Sequence, residues 1–222
     1  MRTIFAILLA LTAANPVAAQ RVPVPDKDAD FDRGKKEGAK DTRRVVQAFA
    51  SCMVKRGMPS VAEFLDRPDG PFTRALRSRA PDCLIDAYDD AGDVAMLKGA
   101  SVTYRYALAE AWLMRKFGDA GLGDVSAIAP LTLSPAYGQN VGLNAFAECV
   151  IRQDTAGSWA LLTTEAASPE EQAMFQRLTP AMQACVHQGS TLKMQAFFVR
   201  GAIAETYYLM TKAPRVAPAG AK

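Results

Sequence analysis

Apolar side chains recur at intervals of three and four residues along much of the chain, a spacing that places them on one face of an α-helix. The first such stretch covers residues 42–56, and Gly57, a residue that favours helix ends, follows it. Its apolar face consists of Val45, Val46, Phe49, Cys52 and Met53. The sequence Ser-Val-Ala-Glu at 60–63 matches a capping box. It predicts a second, short helix that contains Phe64 and Leu65.

Two longer helices are predicted after Asp93 and after Ser190, each with a continuous apolar stripe. The first stripe consists of Val94, Leu97, Ser101, Tyr104, Leu108, Ala111 and Met114, and the second of Leu192, Ala196, Val199, Ile203, Tyr207 and Met210. A further helix is predicted to begin at Ser168, because Pro169 and two acidic residues follow this capping serine. No stretch shows the sustained alternation of a strand. The pattern therefore predicts an all-α fold of roughly seven or eight helices, with the two long helices near the centre.

The same succession of motifs occurs twice along the chain. Three blocks match in the same order: 49–55 with 146–152, 76–83 with 178–185, and 97–110 with 192–205. Two copies are too few for an open solenoid, which needs at least three repeats. A closed, pseudo-symmetric helical bundle of two duplicated units is therefore predicted.

The blocks and the composition between them divide the chain into six parts. These are a signal peptide at 1–19, a flexible leader at 20–41, helical unit 1 at 42–117, a linker at 118–139, helical unit 2 at 140–212 and a flexible tail at 213–222. The leader is polar and contains proline and glycine, which is typical of segments that do not fold alone. The two units are expected to form one compact domain.

The first 19 residues have the layout of a cleaved secretory signal. Arg2 supplies the positive charge, and the apolar run from Ile4 to Ala14 is shorter than the roughly 20 residues that span a bilayer. Small residues then predict cleavage between Ala19 and Gln20. We expect the mature chain to lie in the bacterial periplasm or outside the cell, without a transmembrane anchor.

Charge and motif content narrow the possible functions. The chain has 26 Lys and Arg against 23 Asp and Glu, a net charge of +3, which argues against a nucleic-acid binder. Its single histidine, His187, excludes histidine-rich metal sites. There is no glycine-rich phosphate loop for a nucleotide. No metal and no cofactor are predicted.

Four cysteines in an exported chain favour two disulfide bonds. Of the three possible pairings, the duplication favours Cys52 with Cys83 and Cys149 with Cys185. A redox motif or a zinc site is disfavoured because both normally use closely spaced cysteine pairs, which are absent. A Cys–His nucleophile is disfavoured because His187 lies only two residues after Cys185, and residues two apart on a helix do not face each other.

Two glutamates occupy equivalent positions in the two units. Glu110 and Glu205 could divide acid and base roles in a hydrolase if they converged, as paired carboxylates do in glycosidases. The favoured interpretation is structural, with Arg105 and Arg200 as ion-pair partners at the unit interface, because buried charges are generally paired. Within each unit the arginine lies about 140° around the helix from its glutamate. The ion pairs are therefore expected between helices rather than within one.

An acidic cluster precedes the first long helix and consists of Asp86, Asp89, Asp90 and Asp93. It lacks the residue order of an EF-hand calcium loop. We interpret Asp93 as a helix cap and the others as part of a solvated turn. The aromatic residues Trp112, Tyr207 and Tyr208 are interpreted as core packing, although an aromatic ligand site is also possible.

The signal layout, the F-A-x-C strings at 49–52 and 146–149, and the R-x-A-x-A-E strings at 105–110 and 200–205 resemble uncharacterised small exported helical proteins of alphaproteobacteria, of the sphingomonad type. The resemblance covers about residues 42–212. It implies export in a bacterial setting, and it implies no activity, substrate or cofactor.

The sequence therefore favours an exported helical structural or interaction module over an enzyme. Its partner would be a periplasmic protein or a small ligand that no motif identifies. One alternative is a carrier of a small ligand or lipid, with a pocket between the two units. A second alternative is a hydrolase that uses Glu110 and Glu205.

Overall fold

The computed structural model describes residues 36–68, 83, 101–134, 140–186 and 194–216. Six α-helices occupy these residues: α1 Lys36–Leu65, α2 Ser101–Phe117, α3 Asn140–Gln153, α4 Thr155–Thr163, α5 Pro169–Ala184 and α6 Ala196–Met210. Two 3₁₀ turns, Gly118–Ala120 and Val125–Ala127, follow α2. Within these described ranges there is one isolated β-bridge and no strand. The predicted all-α class is confirmed.

Some of the predicted features lie outside the described residues. They are the signal peptide at 1–19, the leader as far as residue 35, the acidic residues Asp86, Asp89, Asp90 and Asp93, and the single histidine, His187.

Helix α1 consists of two helical segments that meet at Gly57, where the backbone has non-helical dihedral angles (φ −157°, ψ 48°). Pro59 lies two residues after Gly57, in the first turn of the second segment, which tolerates its missing N–H. The sequence predicts this break, but it places the start of the first helix at residue 42. The helix begins at Lys36, so residues 36–41 are helical rather than part of a flexible leader. This stretch contains good helix formers but no apolar stripe, so hydrophobic periodicity does not detect it.

Local capping explains where the helices of the second half begin. Ser168 Oγ accepts a hydrogen bond from the Glu171 N–H, and Pro169 occupies the first turn, as predicted for α5. Asp154 caps α4 by accepting from the Gly157 N–H. Helix α6 begins at Ala196, later than the start predicted after Ser190, because the backbone at Gln195 is extended.

Helices α2 and α6 pack against each other, α1 packs against α2, and α3 packs against α6. Residues 199–208 of α6 are all buried. Trp112 packs edge-on against Tyr208 at 4.9 Å between ring centroids, and Trp159 packs edge-on against Tyr207 at 5.0 Å. Trp112, Tyr207 and Tyr208 are therefore core residues, as predicted.

Two disulfide bonds, Cys52–Cys83 and Cys149–Cys185, tie α1 and α3 to positions further along the chain. Their Cα–Cα distances are 5.5 and 5.8 Å, and the chain has no free cysteine. These are the pairs that the duplication favours. Each bond closes a loop within one predicted unit.

The described part of the linker, residues 118–134, is hydrogen-bonded to α3, where Glu148 accepts from the Leu131 N–H and Arg152 makes the most contacts. Arg152 Nη1 donates to the carbonyl of Val125 at 3.1 Å. Arg152 Nη2 donates to the carbonyls of Ile128 and Ala129 at 3.1 and 3.2 Å. The described part of the linker is therefore fixed against α3.

The beginning of the predicted flexible tail, residues 213–222, is also hydrogen-bonded to the linker. The Ala129 N–H donates to the Pro214 carbonyl at 2.9 Å, and the Val216 N–H donates to the Ala127 carbonyl at 2.8 Å. Sequence composition alone missed this pairing because a bridge between backbones leaves no side-chain pattern.

Candidate functional site

The first candidate ion pair joins α2 to α6. Arg105 Nε donates to Glu205 Oε1, and the two side chains are 5% and 0% exposed. The other guanidinium N–H groups donate to backbone carbonyls at the end of α1: to Phe64 at 3.2 Å, to Arg67 at 3.1 Å and to Leu65. Arg105 therefore neutralises a buried carboxylate and also satisfies carbonyls that the end of a helix leaves without partners.

The second ion pair joins the same two helices in the opposite direction. Arg200 of α6 binds Glu110 of α2 in a bidentate manner, with Nε to Oε2 and Nη2 to Oε1 both at 2.8 Å. Arg200 Nη2 also donates to the carbonyls of Leu162 at 3.2 Å and Thr164 at 2.7 Å, at the end of α4. As with Arg105, one guanidinium donates hydrogen bonds both to a carboxylate and to carbonyls at the end of a helix.

Each carboxylate also accepts a hydrogen bond from an amide side chain. Gln47 Nε2 donates to Glu110 Oε1 at 2.5 Å, and Asn144 Nδ2 donates to Glu205 Oε2 at 3.2 Å. Gln47 Oε1 accepts from the Ala166 N–H at 3.2 Å. Asn144 Oδ1 is buried and has no hydrogen-bond partner among the described residues.

The partners of the two ion pairs are related by a constant sequence offset. Three pairs of partners each lie 97 residues apart: Gln47 and Asn144, Leu65 and Leu162, and Arg67 and Thr164. This is also the offset between the cysteines at 52 and 149. Sequence analysis missed the two amides because they lie outside the matched blocks. The available signal was that both positions carry an amide at that offset.

Glu171 extends the second ion pair into a larger cluster. Its Oε1 accepts from Arg43 Nη2 at 2.5 Å and from Arg200 Nη1 at 3.0 Å, and its Oε2 accepts from the Ala167 N–H at 2.9 Å. Burial lowers the pKa of Arg200, but the charges and hydrogen bonds of Glu110 and Glu171 outweigh burial and raise it above its ordinary value. Sequence reasoning recognised Glu171 only as a residue of a helix start.

Tyr106 lies where α2 crosses α6. Its ring covers Gly201 so closely that a Cβ at that glycine would overlap the ring. Its hydroxyl is buried and has no hydrogen-bond partner in the described part of the chain. Burial raises the pKa of Tyr106, and the charge of Glu205 raises it further, while Arg105 opposes this effect.

A small cleft opens beside this crossing, between α1, α2 and α6. Its polar lining includes Arg43, Gln47, Glu110 and Arg200, and its apolar lining includes Phe197. The volume is about 30 Å³, which is space for about two water molecules.

The geometry limits what the two glutamates can do chemically. Glu110 is 6% exposed and Glu205 is 0% exposed, and each is bound by a guanidinium and an amide. A general acid or base needs a carboxyl group within hydrogen-bond reach of a substrate. Here the nearest hydrogen-bonding groups are supplied by the protein itself. The arrangement is that of structural ion pairs.

Within the described ranges, no group of three or more His, Cys, Asp or Glu residues is placed to hold a metal ion. The described helices include none with the length and apolar character needed to cross a membrane. No protein family, curated protein or solved structure matches the chain.

Proposed function

We propose that the chain is an exported helical scaffold that acts by binding a protein partner and performs no chemistry at its paired glutamates. One observation supports this most strongly: Glu110 and Glu205, the best candidates for acid–base chemistry, each receive an arginine and an amide in the core. Their charges are used to hold the helices together.

The same contacts make the described helices a preorganised body. Two buried ion pairs join α2 to α6, and Gln47 and Asn144 join α1 and α3 to these pairs. The Cys149–Cys185 bond joins α3 to the end of α5. A surface that is held in one conformation before binding loses less entropy when a partner docks. This favours a role in which the protein presents a fixed shape.

Export is part of the proposal. Residues 1–19 would be removed between Ala19 and Gln20, and the mature chain would act in the periplasm or outside the cell. Two disulfide bonds support this location, because such bonds persist in oxidising compartments and are rare in the cytosol.

A carrier of small ligands or lipids is the less favoured alternative. Ligand pockets usually measure about 300–1,000 Å³, whereas the cleft described above, between α1, α2 and α6, measures about 30 Å³. An acyl chain does not fit this space.

The proposal is tested by native mass spectrometry of the protein, isolated from its own periplasm without reduction. We expect a complex of fixed stoichiometry with a second polypeptide. A discrete small-molecule mass would favour the carrier instead. A chain without any companion at its cellular concentration would contradict the proposal.

A separate assay addresses the hydrolase alternative. Glu110→Gln and Glu205→Gln are each compared with the unaltered protein for folding stability and for turnover of ester, glycoside and peptide substrates. We expect a loss of stability and no turnover in any variant. Specific turnover that disappears in a folded Glu110→Gln variant would overturn the proposal.

A further inference from the structure

We propose that α2 and α6 form an isologous interface, of the kind that two identical chains form about a two-fold axis. The partner that this surface fits is a second copy of the same helical unit, which the chain supplies within itself. The inference builds on the predicted duplication and goes beyond the scaffold role. It concerns what the central interface recognises.

The first support is the reciprocity of the ion pairs. In an isologous interface, residue i of one copy contacts residue j of the other, and residue j of the first contacts residue i of the second. Arg105 contacts Glu205, and Arg200 contacts Glu110. The two arginines lie 95 residues apart and so do the two glutamates, so the contacts exchange equivalent positions.

The second support comes from contacts outside the shared sequence strings. Gln47 on α1 and Asn144 on α3 lie 97 residues apart, and each donates to the glutamate that the arginine of the other unit binds. Arg105 also binds the carbonyl of Leu65, and Arg200 binds that of Leu162, at the same offset. An equivalence confined to the α2 and α6 strings would not extend to α1, α3 and α4.

The third support locates the axis. A residue contacts its own equivalent only where a two-fold axis passes between them. Tyr106 and Gly201 lie 95 residues apart, the offset of the arginines and glutamates, and the Tyr106 ring covers Gly201. The axis therefore passes between these two residues.

This position explains why the otherwise similar strings RYALAE and RGAIAE differ at their second residue. Two tyrosine rings on the axis would occupy the same space, and two glycines would leave it empty. Identical chains cannot carry different residues at one position, but a fused chain can. One ring opposite one glycine fills the space.

The test exchanges the two residues in the full-length chain. Tyr106→Gly removes the ring, and Gly201→Tyr places a second ring in the space of the first, so each single variant is expected to unfold at a lower temperature. The double variant carries one ring on the opposite helix. We expect its thermal midpoint to lie above those of both single variants.

Gly142→Tyr provides the matched control. Gly142 lies on α3, and a Cβ there would meet no atom within 4 Å. A tyrosine at this position is therefore expected to be tolerated. Combined with Tyr106→Gly, it should restore nothing, because it is not on the axis.

The outcomes separate the possibilities. If the exchanged variant is no more stable than the less damaged single variant, the proposal is wrong. If the Gly201→Tyr variant is insoluble, soluble yield is compared instead of the thermal midpoint. The double variant must then give a higher soluble yield than Gly201→Tyr alone. The same exchange with Gly201→Phe should also succeed, because the Tyr106 hydroxyl has no partner among the described residues. These measurements report folding only, so they stand apart from the complex expected of the scaffold.

Discussion

Arg200 donates two hydrogen bonds of 2.8 Å to Glu110, which lies 90 residues earlier in the chain. The same guanidinium also reaches Glu171 at 3.0 Å. One cation thereby joins α2, α6 and the start of α5. The contact connects the two predicted units through charge in the interior of the protein.

Glu110→Gln is expected to lower the free energy of unfolding by about 3–5 kcal/mol, because it leaves Arg200 buried with part of its charge uncompensated. Glu110→Leu combined with Arg200→Met should recover part of this loss, since replacing both partners removes the unpaired charge. Urea unfolding of the three proteins measures the effect.

Arg44→Gln is the control for this prediction. Arg44 pairs with Glu165, and their side chains are 46% and 60% exposed. Exposed ion pairs contribute about 0–1 kcal/mol. If Glu110→Gln and Arg44→Gln lower the free energy of unfolding equally, the buried ion pair stabilises the protein no more than the exposed one, which would contradict the prediction.

Two buried tyrosines should respond differently to loss of the hydroxyl group. The Tyr207 hydroxyl bonds to Ser158 Oγ at 2.8 Å and to the Thr155 carbonyl at 2.9 Å. Tyr207→Phe is therefore expected to cost about 1–2 kcal/mol, and Tyr106→Phe, which removes a hydroxyl without a described partner, should leave stability unchanged or raise it by about 1 kcal/mol. Chemical denaturation of both variants tests the contrast, and equal losses would contradict it.

The same tyrosines predict how stability depends on alkaline pH. Burial raises the pKa of Tyr106 and of Tyr207 above the ordinary value of 10.0. Above pH 10 the unfolded chain loses protons that the folded protein retains, so the free energy of unfolding falls as pH rises. Below pH 10 both states are protonated, so the free energy of unfolding has its full value and no longer depends on pH through these two groups.

The measurement is ultraviolet absorbance of phenolate during alkaline titration, with unfolding followed in parallel. We expect Tyr106 and Tyr207 to ionise late in the titration, well above pH 10, when the protein unfolds. Tyr207→Phe should reduce the late absorbance change. Complete ionisation in one step, with the fold intact, would be incompatible with this burial.

Ala167 has a left-handed backbone conformation, with φ of +61°. This conformation destabilises the folded state of a residue with a Cβ by about 1–2 kcal/mol. Glycine avoids this strain, but its greater freedom stabilises the unfolded chain by about 0.4–1 kcal/mol. Ala167→Gly should therefore raise the free energy of unfolding by about 0.5–1 kcal/mol.

The control for this change is Ala173→Gly, at an exposed position within α5. There the substitution is expected to lower the free energy of unfolding by about 1 kcal/mol, because glycine loses more backbone entropy than alanine when it becomes helical. Differential scanning calorimetry of the pair gives effects of opposite sign. A loss at both positions would contradict the argument from the backbone angle.

Local chemistry made part of the fold predictable. The break at Gly57 and the start of α5 at Ser168 depend on residues adjacent in sequence, which a reader of the sequence can recognise. The expectation that Arg105 and Arg200 would pair between helices followed from helical geometry alone, and the structure places both contacts there.

The rest depends on contacts between distant residues. Glu171 carries a capping signal, but nothing in its neighbourhood indicates that Arg43 and Arg200 meet on it. Gln47 and Asn144 belong to no motif, and their role appears only when the carboxylates are located in space. Sequence periodicity describes which face of a helix is buried and is silent on which polar groups meet inside.

The reciprocal ion pairs also determine when the interior can be completed during synthesis of the chain. A chain grows from its N-terminus, and early segments fold before later ones arrive. The charged partners of Arg105 and Glu110 both lie on α6, the last helix among the described residues. The first half therefore emerges with one uncompensated cation and one uncompensated anion in what will become the interior. Completion of the last helix supplies both partners, so neither ion pair can form before α6 has been made.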